Sequence, residues 1–218
     1  MGMTQEKTYL TKLPAAPAGW HRHPNGGGLV EDTATAEDTA FVGPNAKVSG
    51  YAKVGDYAKV GDYAKVGDYA KVLGAAEVSG QARVSGEAEV SGQARVSDSA
   101  LVFGSVRVFG EAWVFDSVWV YGDVWVYGRA QVSGDVDVHD YAKVYGSAEV
   151  FGEAEVFGEV EVFGSAKVFD RAKVFDRAQV FGRAQVYGSA EVCGAARVFG
   201  RAQVFGSEKV SCEAQVYD

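Results

Sequence analysis

From Asn45 to Asp218 the chain alternates small apolar and polar residues with a strict period of six. The segment divides into 29 hexapeptides without insertion or deletion, and three successive copies read Tyr-Ala-Lys-Val-Gly-Asp. Position four is valine in every copy, from Val48 to Val216. Position two is alanine in 23 copies, valine in five (Val106, Val118, Val124, Val136, Val160) and glutamate once, at Glu208. Residues two apart in an extended segment share a face, so positions two and four point one way and the polar residues between and before them the other. Position six is Gly or Asp throughout, except at Cys212. Glycine adopts positive φ freely and aspartate tolerates it, which predicts a corner there. Each hexad reads as a very short strand followed by a bend.

One Ala/Val pair buries too little to offset about 1–2 kcal/mol of backbone entropy per ordered residue. The hexads must therefore stack as a solenoid. The frame extends weakly backwards through Thr33–Pro44, with Ala36 in the valine position, and on to Gly27, giving 32 hexads. This divides the chain into an entry or capping segment, 1–26, and a repeat region, 27–218. Tyr9, Leu10, Leu13 and Trp20 are the residues expected to cover the first coil.

Composition fits one narrow site repeated many times. The chain has 36 valines, five leucines and no isoleucine, which excludes the mixed core of a helical bundle or a Rossmann-type sheet. An apolar fraction of 47% with 12% aromatics excludes a disordered chain. All four prolines lie at or before Pro44, where regularity begins.

The phase-locked repeat, with its aliphatic, small and Gly/Asp positions, resembles the hexapeptide-repeat left-handed β-helix superfamily. The resemblance covers about 85% of the chain. His23-Pro24-Asn25-Gly26-Gly27-Gly28, leading into the repeats, is similar to the entry of uncharacterised bacterial and phage proteins of this group. The resemblance implies an all-β, left-handed, triangular parallel β-helix with three hexads per coil. That gives about eleven coils and, at strand spacing, a prism about 50 Å long. It also implies a homo-oligomer, with a trimer preferred.

With three hexads per coil, residues 18 apart stack. Position five then forms three aromatic edges: one from Phe109 to Tyr217 in seven coils, one from Phe103 through Tyr121 and His139 to Phe175, and one from Phe151 to Phe205. Glu77 falls under Arg95, Lys143 under Glu161, Glu153 under Arg171 and Glu159 under Arg177, a matching expected to fix register. Segment 99–164 holds 3 basic and 11 acidic residues, which accounts for the whole chain's net charge of −8. It also carries Trp113, Trp119 and Trp125 at position three of successive hexads, one on each side of the prism, with Leu101 one coil before Trp119. This belt, with Tyr121, Tyr127, Asp135, Asp137 and Glu155, is the candidate binding surface for a protein or small-molecule ligand. A purely structural belt is the competing reading.

Other chemistry is sparse. Many members of the resembled superfamily are acyltransferases using an acyl-CoA donor. Their catalytic histidine typically sits between subunits beside a loop that interrupts the coils. Here the coils run uninterrupted, and His139, between Asp137 and Asp140, is their one histidine, a weak candidate base and a stronger candidate rung of an aromatic edge. His21 and His23 are weak metal ligands without an obvious third, so neither a metal nor another cofactor is expected. Gly26-Gly27-Gly28 lacks the Lys-Ser/Thr of a phosphate loop and reads as a flexible turn. Cys193 and Cys212 are too few for a disulfide framework. The acidic balance argues against coating nucleic acid. The first 26 residues lack a secretory signal pattern, and no apolar run is long enough for a membrane helix. The expected setting is cytoplasmic, with a virion or lysis-released component as the alternative.

The sequence favours a non-enzymatic scaffold that assembles or binds partners through its outer faces and aromatic edges. Two alternatives stay open: an acyltransferase-like enzyme with its site at a subunit interface, and an acidic decoy or ligand-sequestering protein of phage origin.

Overall fold

A computed structural model of the protein describes residues 13–218. It contains 33 short strands and, among the described residues, no helix. The first strand, β1 (Trp20–Arg22), pairs antiparallel with β2 (Leu29–Glu31) through Trp20–Glu31, His21–Val30 and Arg22–Leu29. Every later pairing is parallel and joins residues 18 apart, as in Glu77–Arg95 and Trp119–Asp137. Three sheets of 12, 11 and 10 strands result. Without β1 they hold 32 parallel strands, three per coil, matching the 32 hexads of the extended frame. The solenoid thus has ten complete coils and two strands of an eleventh, in line with the expected count of about eleven.

The interior is the predicted one. Every position-four valine from Val48 to Val198 is fully buried, and the alanine or valine at position two lies beside it. Position six has positive φ at both residue types, as at Asp116 (66°) and Gly128 (75°). Aspartate does more at these corners than tolerate the conformation. In all eight corner aspartates with positive φ, a carboxylate oxygen accepts the backbone N–H of the residue 18 later, at 2.8–3.4 Å; Asp56–Gly74 and Asp176–Gly194 are examples. Each such carboxylate satisfies a donor on the next coil and pins its register.

The entry segment is tightly packed, which corrects the flexible turn expected at Gly26–Gly28. A Cβ on Gly28 would lie 2.3 Å from the Gly43 carbonyl oxygen, and one on Gly26 equally close to that of Val42. The Gly28 N–H donates to the Val42 carbonyl, and Asn25 Nδ2 donates to that of Ala40. Arg22 straps the segment by donating to the carbonyls of Pro14 and Gly27. Of the residues expected to cover the first coil, Trp20 lies in β1 and is half-buried, as is Leu13. Tyr9 and Leu10 lie outside the described residues.

Candidate functional site

The inward positions of the coils are filled almost entirely by Ala and Val, so the chemical variety of the described residues lies on the outside. The belt between residues 99 and 164 is distinct in backbone as well as in composition. All six four-residue strands, from Leu101–Gly104 to Glu155–Gly158, fall within it, whereas strands elsewhere in the coils span two or three residues. Four of the six follow a valine at position two: Val106, Val118, Val124 or Val136. The longer strands carry the ladder to the corner itself, as in Leu101–Trp119, Val102–Val120, Phe103–Tyr121 and Gly104–Gly122. Leu101, Trp119, Trp125, Asp137 and Glu155 thus sit on the longer strands, whereas Trp113 sits on a two-residue strand.

The position-five rings stack as the 18-residue spacing requires. Phe109, Tyr127, Tyr145, Phe163, Phe181, Phe199 and Tyr217 form one continuous edge, with centroids 4.8–5.2 Å apart. Phe103, Tyr121, His139, Phe157 and Phe175 form the second at 4.8–5.2 Å, and Phe151, Phe169, Tyr187 and Phe205 the third at 4.9–5.6 Å. Such offset pairs contribute about 0.5–1.5 kcal/mol each. Tyr145 shows how enclosed an edge becomes. Burial first, then the neighbouring Glu161 carboxylate, pushes its phenol up to about 12; the hydroxyl donates to Glu161 Oε2 at 3.3 Å.

His139 is a rung of the second edge. Its ring lies between Tyr121 (4.8 Å) and Phe157 (5.0 Å), with Nδ1 3.3 Å from Asp140 Oδ1. Asp137 stands beside it. Burial, with added repulsion from Glu155 and Asp135, raises the Asp137 carboxyl above the usual range despite the opposing pull of His139. Burial likewise raises the Tyr121 and Tyr127 phenols, reinforced by Asp137 at Tyr121 and by Glu161 at Tyr127.

The three tryptophans point outward on three different sheets, as expected, but into different surroundings. Trp113 is covered by the Arg95 guanidinium at 4.9 Å and edged by Phe115. Trp125 has Arg107 at 5.1 Å and Lys143 at 5.9 Å over its ring, and its Nε1 donates to Asp123. Trp119 has neither a cation nor a ring stacked on it among the described residues, and it is 48% exposed. Its neighbours in register are Leu101 and Asp137. Open grooves flank the other two: about 600 Å³ beside Trp113, lined also by Glu111, Arg129 and Gln131, and about 390 Å³ beside Trp125, lined also by Lys143 and Glu161. The belt therefore holds three separate tryptophan environments rather than one continuous site.

The charge matching is partly realised. Lys143–Glu161 forms at 3.8 Å, as the spacing predicts. Glu77 and Arg95 are in register, but the guanidinium lies over Trp113. Among the described residues Glu153–Arg171 and Glu159–Arg177 do not close as ion pairs. Lys167–Glu149 and Lys173–Glu155, both at 2.8 Å, were legible from the same 18-residue rule but were not among the pairs picked out from the sequence.

The entry histidines are occupied. His23 is buried, with Nε2 3.0 Å from the Glu37 carbonyl and Nδ1 bonded to the Asn25 backbone. His21 Nδ1 contacts Asp32 Oδ1 at 3.2 Å. No cluster of three metal-ligating side chains occurs among the described residues. Cys193 is buried and Cys212 exposed, both as free thiols. Comparison with known protein families and with curated proteins finds no match to this chain.

Proposed function

We propose that the chain is a non-catalytic scaffold of the hexapeptide-repeat, left-handed β-helix type, working through its outer faces and aromatic edges. The observation that carries this reading is Trp119. A large aromatic side chain, 48% exposed and with no ring or cation stacked on it among the described residues, is held on one of the six four-residue strands. Exposed aromatic surface on a rigid frame is the usual mark of a contact face. His139 supports the same reading: a base that must swing toward a substrate is poorly served by a ring fixed between two others.

The test is an acyl-transfer assay with acetyl-CoA and a panel of amine and hydroxyl acceptors, following release of free CoA thiol. The scaffold reading predicts no release above the uncatalysed rate, and the same trace for His139→Ala. Turnover by the purified protein that His139→Ala abolishes would replace it with the acyltransferase reading.

A further inference from the structure

The twelve-stranded face orders its charges unlike the other two. Its outward position reads, along the stack, Lys47, Lys65 and Arg83, then Leu101 and Trp119, then Asp137 and Glu155. The basic residues lie in register with one another, Lys47 with Lys65 and Lys65 with Arg83, as do the acidic Asp137 and Glu155. Like charges directly opposite on neighbouring strands destabilise a sheet. The other faces mostly relieve such contacts: Lys53 reaches Glu37, Lys167 reaches Glu149, and Arg95 and Arg107 lie over tryptophans. On the twelve-stranded face Lys173 reaches Glu155, while Asp137 has no ion-pair partner among the described residues. Among the described residues Lys47, Lys65 and Arg83 have no ion-pair partner. The face thus carries a basic block and an acidic block, on opposite sides of an apolar centre.

That order is self-complementary. Take a two-fold axis lying in the face, parallel to the strands and midway between those of Leu101 and Trp119. Rotation about it brings up a second copy with its coils in reverse order. Leu101 then faces the second copy's Trp119, Arg83 faces its Asp137, and Lys65 faces its Glu155. Further out Lys47 meets Lys173, whose ammonium is already held by Glu155 at 2.8 Å. Every contact occurs twice, as an isologous interface requires. The axis falls near the middle of the face, so the overlap runs from Leu29 to Glu191, about 43 Å at strand spacing. With a width of about 15 Å it covers about 650 Å² per copy, near the roughly 800 Å² of a standard specific interface.

We infer that the twelve-stranded face closes on a second copy of this chain, prism axes antiparallel, with Leu101 and Trp119 at its centre and the two charge blocks crossing. A dimer thus replaces the trimer implied by the family resemblance. The inference deepens the scaffold reading and rests on it for taking the outer faces as the working surface.

Sedimentation velocity of the full chain over a concentration series, with three variants, tests it. The protein should form a dimer that weakens as salt is raised. Arg83→Glu alone and Asp137→Arg alone should each be monomeric where the parent is dimeric, with Kd raised at least tenfold. An equimolar mixture of the two variants should restore the dimer: each reversed charge faces the other, and intact Asp137 of one chain faces intact Arg83 of its partner. The double variant Arg83→Glu/Asp137→Arg should dimerise by itself. A monomer at all concentrations, a trimer, a dimer indifferent to Arg83→Glu, or a mixture that stays monomeric would each overturn the inference. CoA turnover lost in His139→Ala would sink the scaffold reading whatever the mass; a monomer without turnover sinks the dimer alone.

Discussion

Val126→Asp is expected to open the middle of the solenoid and to cost about 3–5 kcal/mol, the usual penalty for an uncompensated buried charge. Val126 is fully buried, and its partners in register, Val108 and Val144, are equally inaccessible to water. The prism interior offers a carboxylate nothing but Ala and Val side chains. In a stacked repeat each coil is stabilised mainly by its two neighbours, so damage at one coil weakens both arms. Thermal unfolding followed by circular dichroism should show a markedly lower midpoint, and limited proteolysis should cut first near the corners at Gly122 and Gly128. Ser147→Asp, the same carboxylate at an exposed outward position, should stay within about 0.5 kcal/mol of the parent. Equal effects of the two substitutions would contradict the inward assignment of position four.

Gly128→Val should be strongly damaging, whereas Gly128→Asp should cost clearly less. Gly128 has φ 75°, and a Cβ there would lie 2.9 Å from the Gly146 carbonyl oxygen. A β-branched residue in the left-handed region costs about 1–3 kcal/mol in strain. Aspartate tolerates that region, and its carboxylate would gain the Gly146 N–H in the way Asp176 gains that of Gly194. Chemical-denaturant midpoints of the two variants give the comparison. If Gly128→Asp proved as costly as Gly128→Val, the carboxylate cap would not be the reason aspartate alternates with glycine at position six.

The period of six made the fold legible because one pattern encodes it 29 times. Inward Ala and Val and the corner at position six followed from the alternation of side chains in a strand and the period of six. The stacked rings at position five needed in addition the 18-residue coil, which the family resemblance implied. Three features lay beyond that rule. The antiparallel β1 is set by backbone pairing and by the Arg22 strap, which involve no repeat. The corner aspartates looked like a backbone preference, and only the placement of their carboxylates shows them bonding to the next coil. The surroundings of Trp119 depend on its neighbours. Trp113 and Trp125 share its position in the hexad and carry an arginine over the ring, although Trp113 is still 42% exposed. Leu101 and Asp137 instead flank Trp119, with no cation or ring stacked on it among the described residues. The segregation of charge on one face was present in the sequence as well. It emerges only when the outward residues are read every 18 positions on each sheet separately.

The 18-residue coil underlies every one of these assignments, and a cysteine cross-link tests it most directly. In a Cys193→Ala/Cys212→Gly background, Gln185→Cys/Gln203→Cys places two thiols in register on neighbouring strands of one sheet. Gln179→Cys/Gln185→Cys places them on different sheets. Neighbouring strands bring Cα atoms within the range of about 4.4–6.8 Å that a disulfide spans. Mild oxidation at low protein concentration, followed by mass analysis, should close the first pair quantitatively within one chain and leave the second reduced. Closure of the 179–185 pair with the 185–203 pair left open would contradict the coil, and with it every face and edge described above.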